Sequence, residues 1–297
     1  MDKLPFLYMN AAGWAKSVEQ IRILAGVPNL THIVAGSFTV NYREGNTGGT
    51  NFVCLDDGTT INALGLPNGG IPYLKSHGKV MTKIVHDAGK KLVVSGAWFS
   101  PEEAGILAET SFEIGADYFE RNDGCPNVFD DGKRKEIASY NLELMHEANE
   151  AVLYAVGYNE PVWVKLSPYE SREEREKVAK LYSESIVRAI VTCNTRPGRL
   201  LKSDRTPYIT AKGTDGNGGI GGTSIKQSAE ENARHFCRLL PKKWIIGVGG
   251  IANARDMEER LVVGCAGIQI ASAFFWSENP KVLQDLGNEW ANEYGPA

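Results

Sequence analysis

The amino-acid sequence predicts a single α/β domain spanning residues 1–297, a (β/α)8 TIM barrel with inserted loops on the C-terminal face of its strands. Three observations predict it. Eight short, β-rich apolar runs recur along the chain, and each is followed by an amphipathic segment of helix length, the alternation that makes a parallel sheet. A chain of 297 residues fits one barrel of about 250 residues with insertions. No solenoid repeat, low-complexity tract or linker divides it.

The strands are read at 5–9, 32–36, 91–95, 116–121, 161–166, 188–193, 244–248 and 267–271. Helices follow near 15–25, 72–88, 101–112, 134–156, 172–186, 224–239, 253–263 and 280–293. Local chemistry supports two of the helix starts. Ser100-Pro101-Glu102-Glu103 supplies an N-cap hydroxyl, an N1 proline and an N3 glutamate, and Ser171 with Glu174 repeats the capping box. On the helix after Ser171, Val178, Leu181, Tyr182 and Ile186 form one apolar stripe able to cover a sheet. Three connections, 37–71, 122–133 and 194–223, are too long for turns and follow strands, so they belong on the face where barrel enzymes build their sites. Within the first, pieces near 51–55 and 59–62 read as a hairpin.

Composition narrows the function. With 42% hydrophobic and 23% charged residues the chain is neither disordered nor fibrous. A net charge of -4 does not point to nucleic acid or an anionic membrane, which leaves small molecules as ligands. The start Met-Asp-Lys-Leu-Pro has no leader pattern, and no run approaches the roughly 18 apolar residues of a membrane span, so a cytoplasmic location is expected. The five cysteines form no Cys-x-x-Cys pair and read as free thiols. The five histidines lack metal-ligand spacing, no metal is expected, and no Gly-x-Ser-x-Gly elbow supports a hydrolase.

The strand ends carry the chemistry. Lys165 sits in Val162-Trp-Val-Lys-Leu166, where a buried ammonium needs an anionic or polar partner, either a ligand or a carboxylate on a neighbouring strand. Gly247-Val-Gly-Gly-Ile251 after strand seven, Ala271-Ser272 after strand eight and the loop Gly216 to Thr223 are small-residue tracts at the corner where barrels bind phosphate. Asn122-Asp-Gly-Cys-Pro-Asn127 places the Cys125 thiol between two carboxamides. With Asn62 and Asn194, four amides are available to one heterocycle bearing both N–H and C=O groups, although each alone is an ordinary turn residue and Cys125 alone an ordinary small hydrophobe.

Together these segments resemble the class 1 dihydroorotate dehydrogenases, the soluble FMN-dependent branch. The likeness runs through Met9-Asn-Ala-Ala-Gly13, Arg43-Glu-Gly-Asn46, Ile61 to Asn68, Asn122 to Asn127, Val164-Lys-Leu-Ser-Pro168, Val191-Thr-Cys-Asn-Thr195, Gly218-Gly-Ile-Gly-Gly222 and Gly247 to Ile251. It implies an FMN oxidoreductase acting on a ring C–C bond of a dihydropyrimidine such as dihydroorotate. Cys125 would be the thiolate base, and Lys165 would stabilise the reduced flavin. Asn62, Asn122, Asn127, Asn194 and Thr195, with the backbone of Gly65 and Leu66, would hold the substrate. The flavin would lie against Ala11, Ala12, Gly13, Gly36, Ser37, Asn62, Asn122 and Lys165, its phosphate held by Gly221, Gly222, Gly249, Gly250, Ala271 and Ser272. A homodimer and a second electron acceptor or donor (fumarate, oxygen or a partner protein) are also implied, with no nucleic acid and no membrane.

Three segments depart from the family. Asp123 and Gly124 stand for an apolar residue and a hydroxyl, and Ala271-Ser272 stands for Gly-Thr. Gly36-Ser37 stands for the usual Lys-Ser, whose lysine would lie near flavin and the substrate carboxylate. That loss predicts weak orotate binding unless Arg43 or an arginine of the 196–205 loop reaches the same place, and Gly36→Lys should reverse it provided the strand end tolerates the side chain without displacing the flavin. Two alternatives stay open: a flavin-dependent ene-reductase or dehydrogenase on another cyclic amide, and a flavin-free barrel lyase with Lys165 as Schiff-base amine.

Overall fold

A computed structural model describes residues 4–130, 133–277 and 279–295. In chain order its elements are β1 (Leu7–Asn10), α1 (Val18–Ala25), β2 (His32–Phe38), β3 (Phe52–Cys54), β4 (Thr59–Asn62), α2 (Gly70–Asp87), β5 (Lys91–Ala97), α3 (Pro101–Glu113) and β6 (Tyr118–Asn122). Then follow β7 (Phe129–Asp130), β8 (Lys133–Arg134), α4 (Leu142–Val156), β9 (Val162–Leu166), α5 (Arg172–Ser183), β10 (Ala189–Thr192), β11 (Arg196–Arg199) and β12 (Asn217–Gly222). The chain ends with α6 (Lys226–Leu239), β13 (Trp244–Val248), α7 (Ala254–Val262), β14 (Gly267–Ile270), α8 (Ser272–Ser277) and α9 (Lys281–Glu293).

Eight parallel strands close in the order β1-β14-β13-β10-β9-β6-β5-β2, the (β/α)8 barrel the alternation predicts. They are the eight strands read from the sequence, with ends displaced by two residues or fewer. Because all run the same way, their C-terminal ends share one mouth. The register sets Asn122 of β6 beside Lys165 of β9, and Val248 of β13 beside Gln269 of β14. Over the mouth lies a second sheet, β11-β12-β4-β3, antiparallel and built wholly from the 37–71 and 194–223 insertions. The predicted hairpin is β3 and β4. The Gly216 to Thr223 tract, read as a loop, is instead strand β12, whose glycines let the backbone of Gly219 pair closely with Asn62.

Some helix boundaries depart from expectation. The helix read at 134–156 starts at Leu142, capped by the Asn141 Oδ1 that accepts from Leu144 N at 3.0 Å. The charged stretch before it lacks an apolar stripe. Lys133–Arg134 pairs with Phe129–Asp130, and Arg134 spends its donors on Pro126 O at 2.7 Å and Gly218 O at 3.1 Å. Residues 131 and 132 of the expected 122–133 loop lie outside the described residues. Helix α5 ends at Ser183, so its buried face is Arg175, Val178, Ala179 and Tyr182, and Ile186 falls beyond it. Its capping box forms as read. At α3 the Ser100 cap also forms, but Glu103 reaches past it to the Phe99 N–H at 2.8 Å.

Inside the barrel pack Met9, Val34, Val93, Trp163, Val191 and Ile246, all fully buried. Two larger apolar layers lie between strands and helices, one including Ile21, Met81 and Phe274, the other Leu107, Met145 and Phe236. Within the second layer a polar group is also sealed away. Arg121 and Asp123 have no exposed side-chain surface and form a two-pronged ion pair, Nε to Oδ1 and Nη2 to Oδ2, both 2.8 Å. Trp98 Nε1 donates to Oδ1 at 2.8 Å and the Tyr182 hydroxyl to Oδ2 at 3.3 Å. Removing one partner of such a pair strands a buried charge and costs about 3–5 kcal/mol. Asp123→Ala should therefore lower the urea midpoint by that much stability with an unchanged m-value, and a loss under about 1 kcal/mol would show that the pair is solvated.

Candidate active site

At the barrel mouth a cavity of about 340 Å³ lies beneath the second sheet, a size typical of small-molecule sites. It brings together most of the residues singled out in the sequence: Ala11, Ala12, Gly13, Ser37, Asn62, Leu66, Asn122, Cys125, Asn127, Lys165, Asn194, Thr195, Gly221, Gly222, Gly249, Gly250, Ala271 and Ser272. Gly36 and Gly65 are the exceptions. Gly65 is turned toward Asn46, and its carbonyl accepts from Arg43 Nε at 3.0 Å. Gly36 is packed against β5 within the barrel wall.

The four asparagines form two hydrogen-bonded pairs. Asn127 Nδ2 donates to Asn62 Oδ1 at 2.5 Å, and Asn194 Nδ2 donates to Asn122 Oδ1 at 2.9 Å. Asn122 Nδ2 is in turn held by the Ser37 hydroxyl at 2.9 Å, which meets the Ser95 hydroxyl at 2.9 Å. Among the described residues, the buried Asn127 Oδ1 has no donor. An unsatisfied buried acceptor costs roughly 1–3 kcal/mol.

Cys125 lines the same cavity. Burial pushes its thiol up, opposed by the Asn127 backbone N–H and by the charges of Lys16, Arg43 and Lys165. At the floor, Lys165 Nζ donates to Gln269 Oε1 at 3.0 Å, and Gln269 Nε2 donates to Glu120 Oε2 at 2.7 Å. Lysine and carboxylate, both buried, are thus joined through a neutral amide and make no direct ion pair with each other. The ammonium keeps donor capacity for the cavity.

Another part of the lining is built from backbone. A Cβ on Gly222 would sit 2.0 Å from Gly58 O, and one on Gly250 would sit 2.4 Å from Lys226 Cα. Both glycines have positive φ, +70° and +69°, so only glycine fits where these chains meet. The Ser272 and Thr60 hydroxyls lie 3.1 Å apart beside them.

Sequence reasoning missed Lys16, Thr60, Gln269 and Phe275, all of which line the cavity. The available signal for Lys16 was its place three residues after Gly13. The arginines that could have stood in for the missing lysine are not in the cavity lining. Arg43 stacks over Phe99 at 5.1 Å, while Arg196 and Arg199 line a separate cleft with Glu170 and Glu174.

Comparison with known proteins decides the family. The dihydroorotate dehydrogenase family model matches residues 3–292. The chain belongs to that family. A Streptococcus agalactiae protein provisionally named dihydroorotate dehydrogenase A (fumarate) is 34% identical over 266 residues, covering 86% of this chain and 80% of its own. The dihydroorotate dehydrogenase (fumarate) of Saccharomyces bayanus is 30% identical over 267 residues, covering 89% and 82%. The crystal structure of the Eimeria tenella enzyme in complex with ferulenol superposes with a TM-score of 0.78 at 16% identity over 96% of this chain and 80% of that one, a likeness of fold. These findings make the chain an oxidoreductase acting on CH–CH groups, of the class 1 type, and do not favour the ene-reductase or lyase alternatives.

Family membership sharpens the question of Gly36. Its φ is +116°, and a Cβ there would lie 2.3 Å from the backbone Ser95 O. The expectation that Gly36→Lys restores a cation is therefore corrected, because this backbone accepts no side chain. Gly36→Ala and Gly36→Lys should both destabilise by at least about 1–3 kcal/mol, the usual cost of a forbidden backbone conformation. Thermal unfolding checks this, and an unshifted midpoint for the Ala variant would refute it.

Proposed function

We propose that the protein is an FMN enzyme interconverting dihydroorotate and orotate, with fumarate as second substrate. The reading rests on the site together with the names of its relatives. The observation that carries it is the lining of one cavity by a thiol, two amide pairs and a glycine cradle. A planar ring with alternating N–H and C=O groups matches amides that donate and accept at once. The glycine cradle fits a phosphate approached by backbone, with Gly221, Gly222, Gly249, Gly250, Ala271 and Ser272 as its holders. Lys165 fits the electron-rich edge of an isoalloxazine, and Ala11, Ala12 and Gly13 its face. FMN, when bound, supplies the hydride acceptor.

The chain's own residues then have distinct tasks. Asn62, Asn122, Asn127 and Asn194, with Thr195 and the Leu66 backbone, orient the ring. Cys125, as thiolate, takes a proton from the ring carbon next to the one that loses hydride. Lys16, Arg43 and Lys165 favour that thiolate against the burial that opposes it. The second sheet covers the cavity and limits water. A homodimer and a cytoplasmic location complete the class 1 reading. Among the described residues no helix is long and apolar enough to cross a membrane.

Heat-released ligand analysed by mass should be FMN, while FAD or no flavin would overturn the cofactor assignment. Cys125→Ala should keep its flavin while reduction by dihydroorotate slows about 10²- to 10⁴-fold, the usual worth of a general base. In the unsubstituted enzyme that rate should go on rising past pH ~8.5, the ordinary thiol value, because burial raises this thiol and the thiolate is the active form. Near-normal stopped-flow reduction of the Ala variant would remove Cys125 from the chemistry.

A further inference from the structure

A second ammonium in the cavity has no task yet beyond its influence on Cys125. Lys16 follows β1, is half-buried and lines the cavity wall. Its Nζ donates to the backbone Pro67 O at 2.8 Å. Among the described residues no carboxylate pairs with it, whereas Lys83, Lys91, Lys226 and Lys281 all have carboxylate partners. Its main chain is fixed as well. Lys16 N and Ser17 N both donate to Gln20 Oε1, at 2.9 and 3.1 Å, within the capping box that starts α1. The side chain thus leaves an ordered backbone and ends beside Pro67, next in sequence to the cavity residue Leu66. Cys125 lines the same cavity, and the two groups act on each other electrostatically.

A desolvated ammonium satisfied by one neutral carbonyl is an incomplete site. Three donors belong to the group, and one is used among the described residues. Cys125 does not complete it at neutral pH, because burial keeps that thiol protonated. We infer that Lys16 is the specificity determinant for an anionic ring substituent, receiving the carboxylate of an orotate-type ligand held by the asparagine pairs. The inference rests on the proposed ring-binding role of the cavity. The thiol carries no charge at neutral pH to compete with the carboxylate, so one lysine serves the ligand first and the thiolate only as it forms.

The site also has a built-in pH limit. Burial lowers Lys16 to about 8, with Cys125 opposing the shift. The titratable groups bearing on this place are Cys125 from the turn after β6, and through it Arg43 and Lys165. As pH rises through about 8 the ammonium loses its proton, and at higher pH the thiol gains a negative charge. Both changes weaken an anion's hold and leave a neutral ring unaffected by charge.

The test compares orotate with its neutral carboxamide by calorimetry on the purified protein as isolated. At pH 7 orotate should bind about ten-fold or more tightly than the carboxamide, the range of a charge-assisted contact, and the preference should fade as pH rises past about 8. Lys16→Met should lose about ten- to 100-fold in orotate affinity with carboxamide binding unchanged, and Lys16→Arg should keep the preference. An unsubstituted protein showing no preference for orotate, or a preference that does not change with pH, would overturn the inference even if Lys16→Met failed to fold. Equal losses for both ligands, or none, would do the same. A protein that shows the preference but carries no flavin would keep this inference and discard the cofactor assignment.

Discussion

The turn that carries Cys125 is fixed by Asp123, a carboxylate with no exposed surface whose oxygens take donors from three parts of the barrel. Arg121 holds it from β6, Trp98 from the end of β5 and Tyr182 from α5. Its backbone is tied too, with Asp123 N donating to Lys165 O and Asp123 O accepting from Ser139 N. One anion therefore sets the strand that supplies Asn122, the strand that supplies Lys165 and the turn between Asn122 and Asn127. A neutral residue at 123 would leave Arg121 as an unpaired charge in an apolar layer. The acid beside the thiol, which in the sequence is a departure from the family, is thus explained by packing on the far side of the strand.

The barrel was legible because its signal is periodic. Each strand is an apolar run and each helix an amphipathic one, and closure follows from having eight of both. The insertions carry no such period, so β11 (Arg-Pro-Gly-Arg) and β12 (Asn-Gly-Gly-Ile-Gly-Gly) read as loops. Strand β12 is made by pairing with β4, a contact between segments some 157 residues apart at Asn62 and Gly219, and β11 by pairing with β12. The late start of α4 has the same origin. Arg134 finds one partner, Pro126, across a turn eight residues back and the other, Gly218, at long range, and local propensity cannot anticipate them.

At the site, motif residues were legible and their wiring was not. The asparagines were visible as a set, but their pairing as 62 with 127 and 122 with 194 depends on how the second sheet lies over the mouth. Lys165 was visible as a buried charge. The sequence left its partner open between a ligand and a carboxylate, and Gln269 stands between those alternatives, neutral and hydrogen-bonded to both Lys165 and Glu120. Gly36 was legible as a substitution but not as a conformation. Its positive φ and the Ser95 carbonyl beneath it exclude any side chain.

Charge in the cavity follows from these constraints. Where a backbone position can hold only glycine, a cation needed at that point has to come from another element, and the nearest loop with a long, flexible side chain follows β1. Lys16 meets that requirement without crossing the core, because its ammonium rests on a carbonyl at the rim and its backbone is capped into α1. Lys165 is instead held by a side-chain amide at the floor. The two ammonium groups thus differ in what tunes them: the rim lysine is weakened by burial, with only a neutral carbonyl beside it, while the floor lysine is linked through Gln269 to Glu120. The cavity thus holds two ammonium groups on different elements, one satisfied by a backbone carbonyl and one by a side-chain amide. The two can then change independently.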